Sequence, residues 1–363
     1  MSEPKLVPVK GRCAWTAGDM ITDGSWLQEV SDEERAAIVD STKPNMPVID
    51  TFGLRRQDFA FGVFADRIQR ILNELENGRG VVVIRGLPVD ALGEEGCRVA
   101  FWGLGVHLGV PLSQSAKGDL MGEVRDLGVR LGEPTSRGYR GNQLLRLHTD
   151  RADYLLLACV RSAKAGGTSR LVSSAAVHNE MIEKRPDLAA ALYQPFYMSR
   201  QGDIAPGQNP FYVAPVFGVR SGKFSCQLSR SYIESAQKFL DVPKLSPKQQ
   251  EGLEMLSSIA ERSAWSLDLR AGDVLLVNNH VNFHARTEFE DYEEPNRKRL
   301  LLRLWISSPI GRALPENAKT MWGNVEPGLV RGGVPAKDEW WCDVLSRDAL
   351  LARSTSHARS TVS

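Results

Sequence analysis

Short apolar runs of strand type stand on both sides of a long helical stretch, and this separation constrains the fold more than any other feature of the chain. Val81-Val82-Val83-Ile84 is a β-branched run closed by Gly86 and Pro88, and residues 154–160 form a second apolar run stopped by Gly166-Gly167. Further on, Trp265, Leu267 and Leu269 alternate with polar residues, Ala271-Gly272-Asp273 makes a turn, and residues 274–277 resume as strand. Residues 299–306 follow after a charged loop. Runs of this length bounded by turn formers read as strands. Between the two groups, about 175–262 reads as a helical insertion. Residues 175–192 are helical and divided at Arg185-Pro186; Ser246-Pro247-Lys248-Gln249 has the form of a capping box with proline at the first helical position. Strands so far apart in the chain predict an α+β domain whose β core is assembled from sequence-distant pieces.

Two helices precede the second strand group. One spans about 58–76, with Phe64, Ile68, Ile71, Leu72 and Leu75 at steps of three and four; the other covers about 96–108. No hinge composition interrupts the chain between 50 and 320, so residues 1–351 are expected to form one domain with an N-terminal extension over 1–55. The Ser-, Thr- and Arg-rich stretch 352–363 reads as a disordered tail.

Charge and cysteine content exclude several function classes. The 45 basic and 44 acidic residues leave a net charge of +1, without the basic stripe that nucleic acid or an anionic membrane would select. Cys13, Cys97, Cys159, Cys226 and Cys342 are scattered and never form a C-x-x-C pair, so free thiols are expected rather than a disulfide framework or zinc knuckle. Residues 1–20 lack the continuous apolar core of a signal peptide, and no run reaches the ~20 apolar residues of a membrane span. A soluble cytoplasmic protein acting on a small molecule is expected, and a homo-oligomer is compatible with the sequence.

Only six histidines occur. In His148-Thr149-Asp150 the imidazole and carboxylate are two residues apart on an extended segment, so both point the same way and can meet one cation. His284 lies just beyond the 274–277 strand and can supply a third ligand. Two histidines and one carboxylate are the ligand set of non-haem iron(II) oxygenases, which leave positions open for substrate and dioxygen. His280 reads as a neighbour rather than a ligand, His107 as packing or interface, His178 as helix surface, and His357 as part of the tail.

The surrounding elements resemble the taurine dioxygenase-like family of iron(II)/2-oxoglutarate oxygenases, related to clavaminate synthase. His148-Thr149-Asp150 is similar to its H-T-D motif, Gly166-Gly167-Thr168-Ser169 to its G-G-x-[ST], and Asn278-Asn279 through His284-Ala285-Arg286 to its N-N-x…H-x-R. Residues 299–305 resemble its closing R-x-x-x-R-x-W strand, and residues 80–86 its early core strand. The resemblance implies a double-stranded β-helix (jelly-roll) core with flanking helices. It also implies His148, Asp150 and His284 as ligands of iron(II), and Arg299 as the group holding the distal carboxylate of 2-oxoglutarate, assisted by Ser169, with Thr168 in reserve. Family members use the arginine matching Arg303 for an acidic group on the substrate. A guanidinium suits such tasks because it presents two parallel donors and stays charged. The activity implied is oxidation of an unactivated C–H bond with 2-oxoglutarate and dioxygen as co-substrates: hydroxylation by default, desaturation or ring closure by the same residues.

Read without the resemblance, Arg299 and Arg303 can belong to a solvated strand end beginning at Arg297-Lys298, and Arg286 reads as structural or as a neighbour of the metal. The polar, glycine-containing stretch 112–147 is a candidate lid in which Gln114 and Tyr139 are candidate substrate contacts, an ordinary surface loop being the competing reading. Three rival functions stand beside the oxygenase. A zinc-dependent hydrolase using the same triad would have no use for Arg299 or Ser169. A non-catalytic jelly-roll binding protein would have no use for an intact triad. A protein or nucleic-acid demethylase is disfavoured by the balanced charge.

Overall fold

The computed structural model describes residues 6–43, 51–128, 141–204 and 207–335. Its centre is a pair of β-sheets. The larger has strands in the order Leu27–Glu29, Val81–Arg85, Val274–Asn278, Tyr154–Arg161, Leu300–Ser307 and Val110–Pro111, with Met121–Val124 also paired to Leu300–Ser307. The smaller has the order Trp265–Leu267, Ser169–Ser173, Asn282–Arg286, Leu145–His148. Neighbouring strands come from both sides of the 175–262 segment, as in Val274–Asn278 lying between Val81–Arg85 and Tyr154–Arg161.

Alternation assigns each side chain to a layer. In the large sheet Val82, Ile84, Leu156, Leu276, Leu302 and Leu304 pack with Ile68, Ile71 and Leu75 of the helix Phe64–Asn77 and with Phe101 and Leu104 of the helix Val89–Leu108. The intervening residues Val81, Val83, Leu155, Leu275, Val277 and Trp305 share a cluster with Leu171, Trp265 and Leu267 of the small sheet, which fills the space between the sheets. On the far side Leu147, Val172, Phe283 and Ala285 pack against the 175–262 segment. A strand covered on both faces cannot alternate apolar with polar, which is why the 81–84 and 274–277 runs are continuously hydrophobic. His284 and Arg286 alternate with Phe283 and Ala285, so they face the interior, and His148 does so next to Leu147.

Several expectations are refined. The first long helix begins at Phe64, after a separate 3₁₀ turn at Arg56–Asp58. The second begins earlier than expected, at Val89, and breaks at Gly93, whose φ of 65° lies in the left-handed region. The division of the 174–191 helices at Arg185-Pro186 and the Ser246 capping box are both present. The insertion is not wholly helical: Pro195–Ser199 pairs with Phe211–Pro215, and Phe217–Arg220 pairs with Lys223–Cys226 across Ser221-Gly222, both at positive φ. His178 is fully buried rather than on a helix surface; its Nε2 lies 2.8 Å from the Tyr193 hydroxyl and its ring packs against Phe217 and Phe224. Cys13, Cys97, Cys159 and Cys226 are free thiols, while Cys342, His357 and the 352–363 tail lie outside the described residues. Among the described residues no helix is long and apolar enough to cross a membrane.

Candidate active site

His148 and His284 are direct antiparallel partners on adjacent strands of the small sheet, and their ring centroids lie 4.3 Å apart. Asp150 follows in the loop after the Leu145–His148 strand. Its Oδ2 lies 3.5 Å from His284 Nε2 and its Oδ1 3.9 Å from His148 Nε2. One ligand atom from each residue lies within 4.8 Å of the others, close enough for a single cation to bridge them at ordinary bond lengths. His148 Nδ1 lies 2.8 Å from the Arg146 carbonyl, which makes Nδ1 the protonated nitrogen and leaves the Nε2 lone pair for a metal. Burial raises the Asp150 pKa, but its contacts with His284, Arg303 and His148 outweigh this and hold the carboxyl well below its ordinary range. The Asp150 amide N–H donates to Asn279 Oδ1 at 3.1 Å, and Trp305 Nε1 donates to Asp150 Oδ2 at 2.9 Å.

Arg299 immediately precedes the Leu300–Ser307 strand and is only 4% exposed. Among the described residues, its guanidinium Nη1 is buried without an acceptor. It lies against the Phe289 ring, 4.9 Å from the centroid, and Arg286 lies against the same ring at 4.8 Å. Burial, reinforced by the charge of Arg299, pushes the Arg286 pKa down to about 10. A desolvated guanidinium nitrogen without an acceptor is costly, and a carboxylate such as that of 2-oxoglutarate would fit it. Gly167, at φ 72°, passes so close that a Cβ there would sit 3.2 Å from Arg299 Nε. The backbone of the Gly-Gly turn is thus the wall beside the arginine. Ser169 is buried opposite Arg286 in the strand register, whereas Thr168 is committed elsewhere, its hydroxyl donating to Asp268 at 2.6 Å.

Arg303 is also buried, on the interior-facing register of the strand with Leu301 and Trp305. Its Nε donates to Gln114 Oε1 at 2.6 Å, and the Gln114 amide donates to the carbonyls of Leu120 and Arg303. Both ends of the Gln114 amide therefore meet protein groups, and its Oε1 holds Arg303. Tyr139 lies outside the described residues. Arg286 is structural in part, since its Nη2 donates to the carbonyls of Gly141 and Gln143. His280 is not a ligand but pairs with Asp153, Nε2 to Oδ1 2.7 Å, and His107 is a buried packing residue held by the Gly103 carbonyl. The positioning roles of Asn279 and Trp305 are not legible from spacing, although both stand inside the quoted motifs.

A sandwich of this topology, with two histidines and a carboxylate converging and a buried arginine whose Nη1 has no acceptor among the described residues, is that of an iron(II)- and 2-oxoglutarate-dependent dioxygenase. Residues 47–305 match the family model "Taurine catabolism dioxygenase TauD, TfdA family", and the chain belongs to that family. It is 29% identical over 324 residues to FR-33289 synthase of Streptomyces rubellomurinus, covering 87% of this chain and 95% of that protein. It is 30% identical over 158 residues to a uridine-5'-phosphate dioxygenase of Amycolatopsis sp, covering 42% of this chain and 55% of the relative. Among solved structures, asparagine oxygenase in complex with Fe(II), 2S,3S-3-hydroxyasparagine and succinate superposes with a TM-score of 0.62 at 16% identity, over 84% of this chain and 100% of that one.

Proposed function

We propose that His148, Asp150 and His284 hold iron(II), that Arg299 holds the distal carboxylate of 2-oxoglutarate beside Ser169, and that Arg303 receives an acidic group of a small, amino-acid-like or otherwise anionic substrate. The convergence of the three ligand atoms carries this reading. Bound iron(II) with 2-oxoglutarate and dioxygen supplies the oxidant for C–H cleavage, releasing succinate and carbon dioxide. The chain's own residues do the rest. Arg299 orients the co-substrate by a bidentate contact, with Phe289 packed on its guanidinium. Trp305 and Asn279 keep Asp150 aimed, and the apolar layer of Leu155, Leu171 and Leu275 keeps water from the reacting centre. Arg303, held by Gln114, lies four residues further along the chain, and in this reading it meets the substrate's anionic end. One relative is named for uridine-5'-phosphate, which carries an acidic group. In the same reading, residues 1–351 act as one cytoplasmic domain without nucleic acid or membrane partners.

The test is a mass-spectrometric screen for succinate across small carboxylates, sulfonates and phosphonates, with iron(II), 2-oxoglutarate and ascorbate present. At least one acid is expected to raise succinate well above the substrate-free level, and His148→Ala and His284→Ala are expected to abolish the rise. A screen in which only neutral or cationic compounds respond would overturn the role given to Arg303.

A further inference from the structure

We propose that residues 330–334, pinned by Arg331, form a positioning strap that holds the loop bearing Asp150 and the shelf bearing Gln114 in fixed relation; the inference rests on Asp150 being an iron ligand. The strap lies beyond the family-matched stretch, which ends at 305. Arg331 is 3% exposed and Asp153, three residues after Asp150, is fully buried. Arg331 Nε donates to Asp153 Oδ1 at 2.9 Å, and its Nη1 donates to the Arg312 carbonyl at 2.7 Å. The remaining acceptor capacity of Asp153 is taken by His280 and by the Ser308 N–H at 2.8 Å.

The next residues extend the contact to both sides of the site. Gly333 N–H donates to the Arg151 carbonyl at 2.7 Å, and the Arg151 guanidinium donates back to the Gly333 carbonyl. Val334 N–H donates to the Ser113 carbonyl at 2.8 Å, adjacent to the glutamine that holds Arg303. Asn279 closes the same loop from the opposite direction: it accepts from the Asp150 N–H, and it donates through its amide to the Ala152 carbonyl at 3.0 Å and through its backbone N–H to the Asp153 carbonyl at 3.0 Å. Every residue from 150 to 153 is therefore clamped by the Asn279 turn, by the strap, or by both.

The strap's sequence is dictated by how closely it passes. Gly332 and Gly333 have φ of 82° and 67°, and a Cβ would sit 2.5 Å from the Arg151 carbonyl oxygen at the first and 3.0 Å from the Ser113 oxygen at the second. Side chains there would lift the strap off both partners. Arg331 is thus a positioning residue for the metal carboxylate, acting through Asp153 and the 151–153 backbone rather than by touching iron.

The test uses the full chain, with anaerobic calorimetric titration of iron(II) alone and thermal melts read in parallel. Arg331→Met leaves Asp153 as a buried charge without its guanidinium and is expected to lower the melting temperature. Adding Asp153→Asn removes that charge and should recover most of the melting temperature, while iron(II) binding stays about tenfold or more weaker than in the parent. Gly333→Ala, which keeps every charge, should remain folded and also bind iron(II) more weakly. Arg331→Lys should rescue part of the affinity. Parental affinity in the double variant or in folded Gly333→Ala would show a merely structural strap and overturn the proposal. A parent that binds no iron(II) would instead overturn the triad on which it rests.

Discussion

The indole N–H of Trp305 donates to Oδ2 of Asp150 across the space between the two sheets. A strand of the large sheet thereby fixes the carboxylate carried by the small one. Trp305→Phe keeps an aromatic body but removes the donor. Iron(II) affinity is expected to fall by about tenfold, the ordinary consequence of losing an outer partner of a metal ligand, with circular dichroism unchanged. Unaltered affinity by calorimetric titration would mean that Asn279 alone suffices to aim Asp150.

Arg299, just before the Leu300–Ser307 strand, and Arg303, within it, should fail differently. Arg299→Lys replaces a planar fork by a point charge. Losing a desolvated charge-assisted pair costs about 2–5 kcal/mol, so the 2-oxoglutarate requirement should rise roughly thirty- to several-thousand-fold. Arg303→Lys should spare 2-oxoglutarate and impair the primary substrate, seen as succinate formed without product. Steady-state kinetics with each substrate varied separately decides this, and a shift in the 2-oxoglutarate requirement from Arg303→Lys alone would reverse the two assignments.

Gln114 is 1% exposed and serves Arg303 through its oxygen while satisfying two carbonyls through its nitrogen. Gln114→Leu removes one partner from each of the three groups. At roughly 0.5–1.5 kcal/mol net for each of the three hydrogen bonds lost, urea denaturation should register a loss of about 1.5–4.5 kcal/mol. The 2-oxoglutarate requirement should stay near that of the parent; a large rise would place Gln114 at the co-substrate end.

His280 gives the protein a defined acid sensitivity. Burial lowers its pKa to about 4 despite the opposing hydrogen bond and charge of Asp153, and Arg331 and Arg312 lower it further. The folded protein therefore binds this proton less readily than the unfolded chain, whose histidine titrates near 6.5. The stabilisation is complete above about pH 6.5 and is lost as pH falls toward 4. Melting temperatures recorded from pH 7.5 to 4.5 should decline through this window. The decline should be shallower in His280→Gln, and an equal slope in both proteins would assign it to other groups.

The helices, the long strands and the triad were legible because each leaves a local periodic or spacing signal. Val81 to Ile84, the His148-Thr149-Asp150 alternation and the Ser246 cap all depend on neighbours within a few residues. The two hairpins inside the 175–262 segment were missed because their strands are short and their pairing rests on turns such as Ser221-Gly222. The burial of His178 is not legible, because one turn of helix cannot say which polar residue will find a buried hydroxyl, here Tyr193.

What the sequence by itself determined is the inventory: which residues can bind iron, which guanidiniums can hold carboxylates, and which runs must be covered on both faces. Only the tertiary structure decided how they are used. His148 meets His284 through strand register, Gln114 turns to Arg303, and Arg331 reaches Asp153 across much of the chain. These pairings are set by which buried polar group lies near which other once apolar layers have packed. That is a property of the assembled core, and no periodicity or spacing along the chain encodes it.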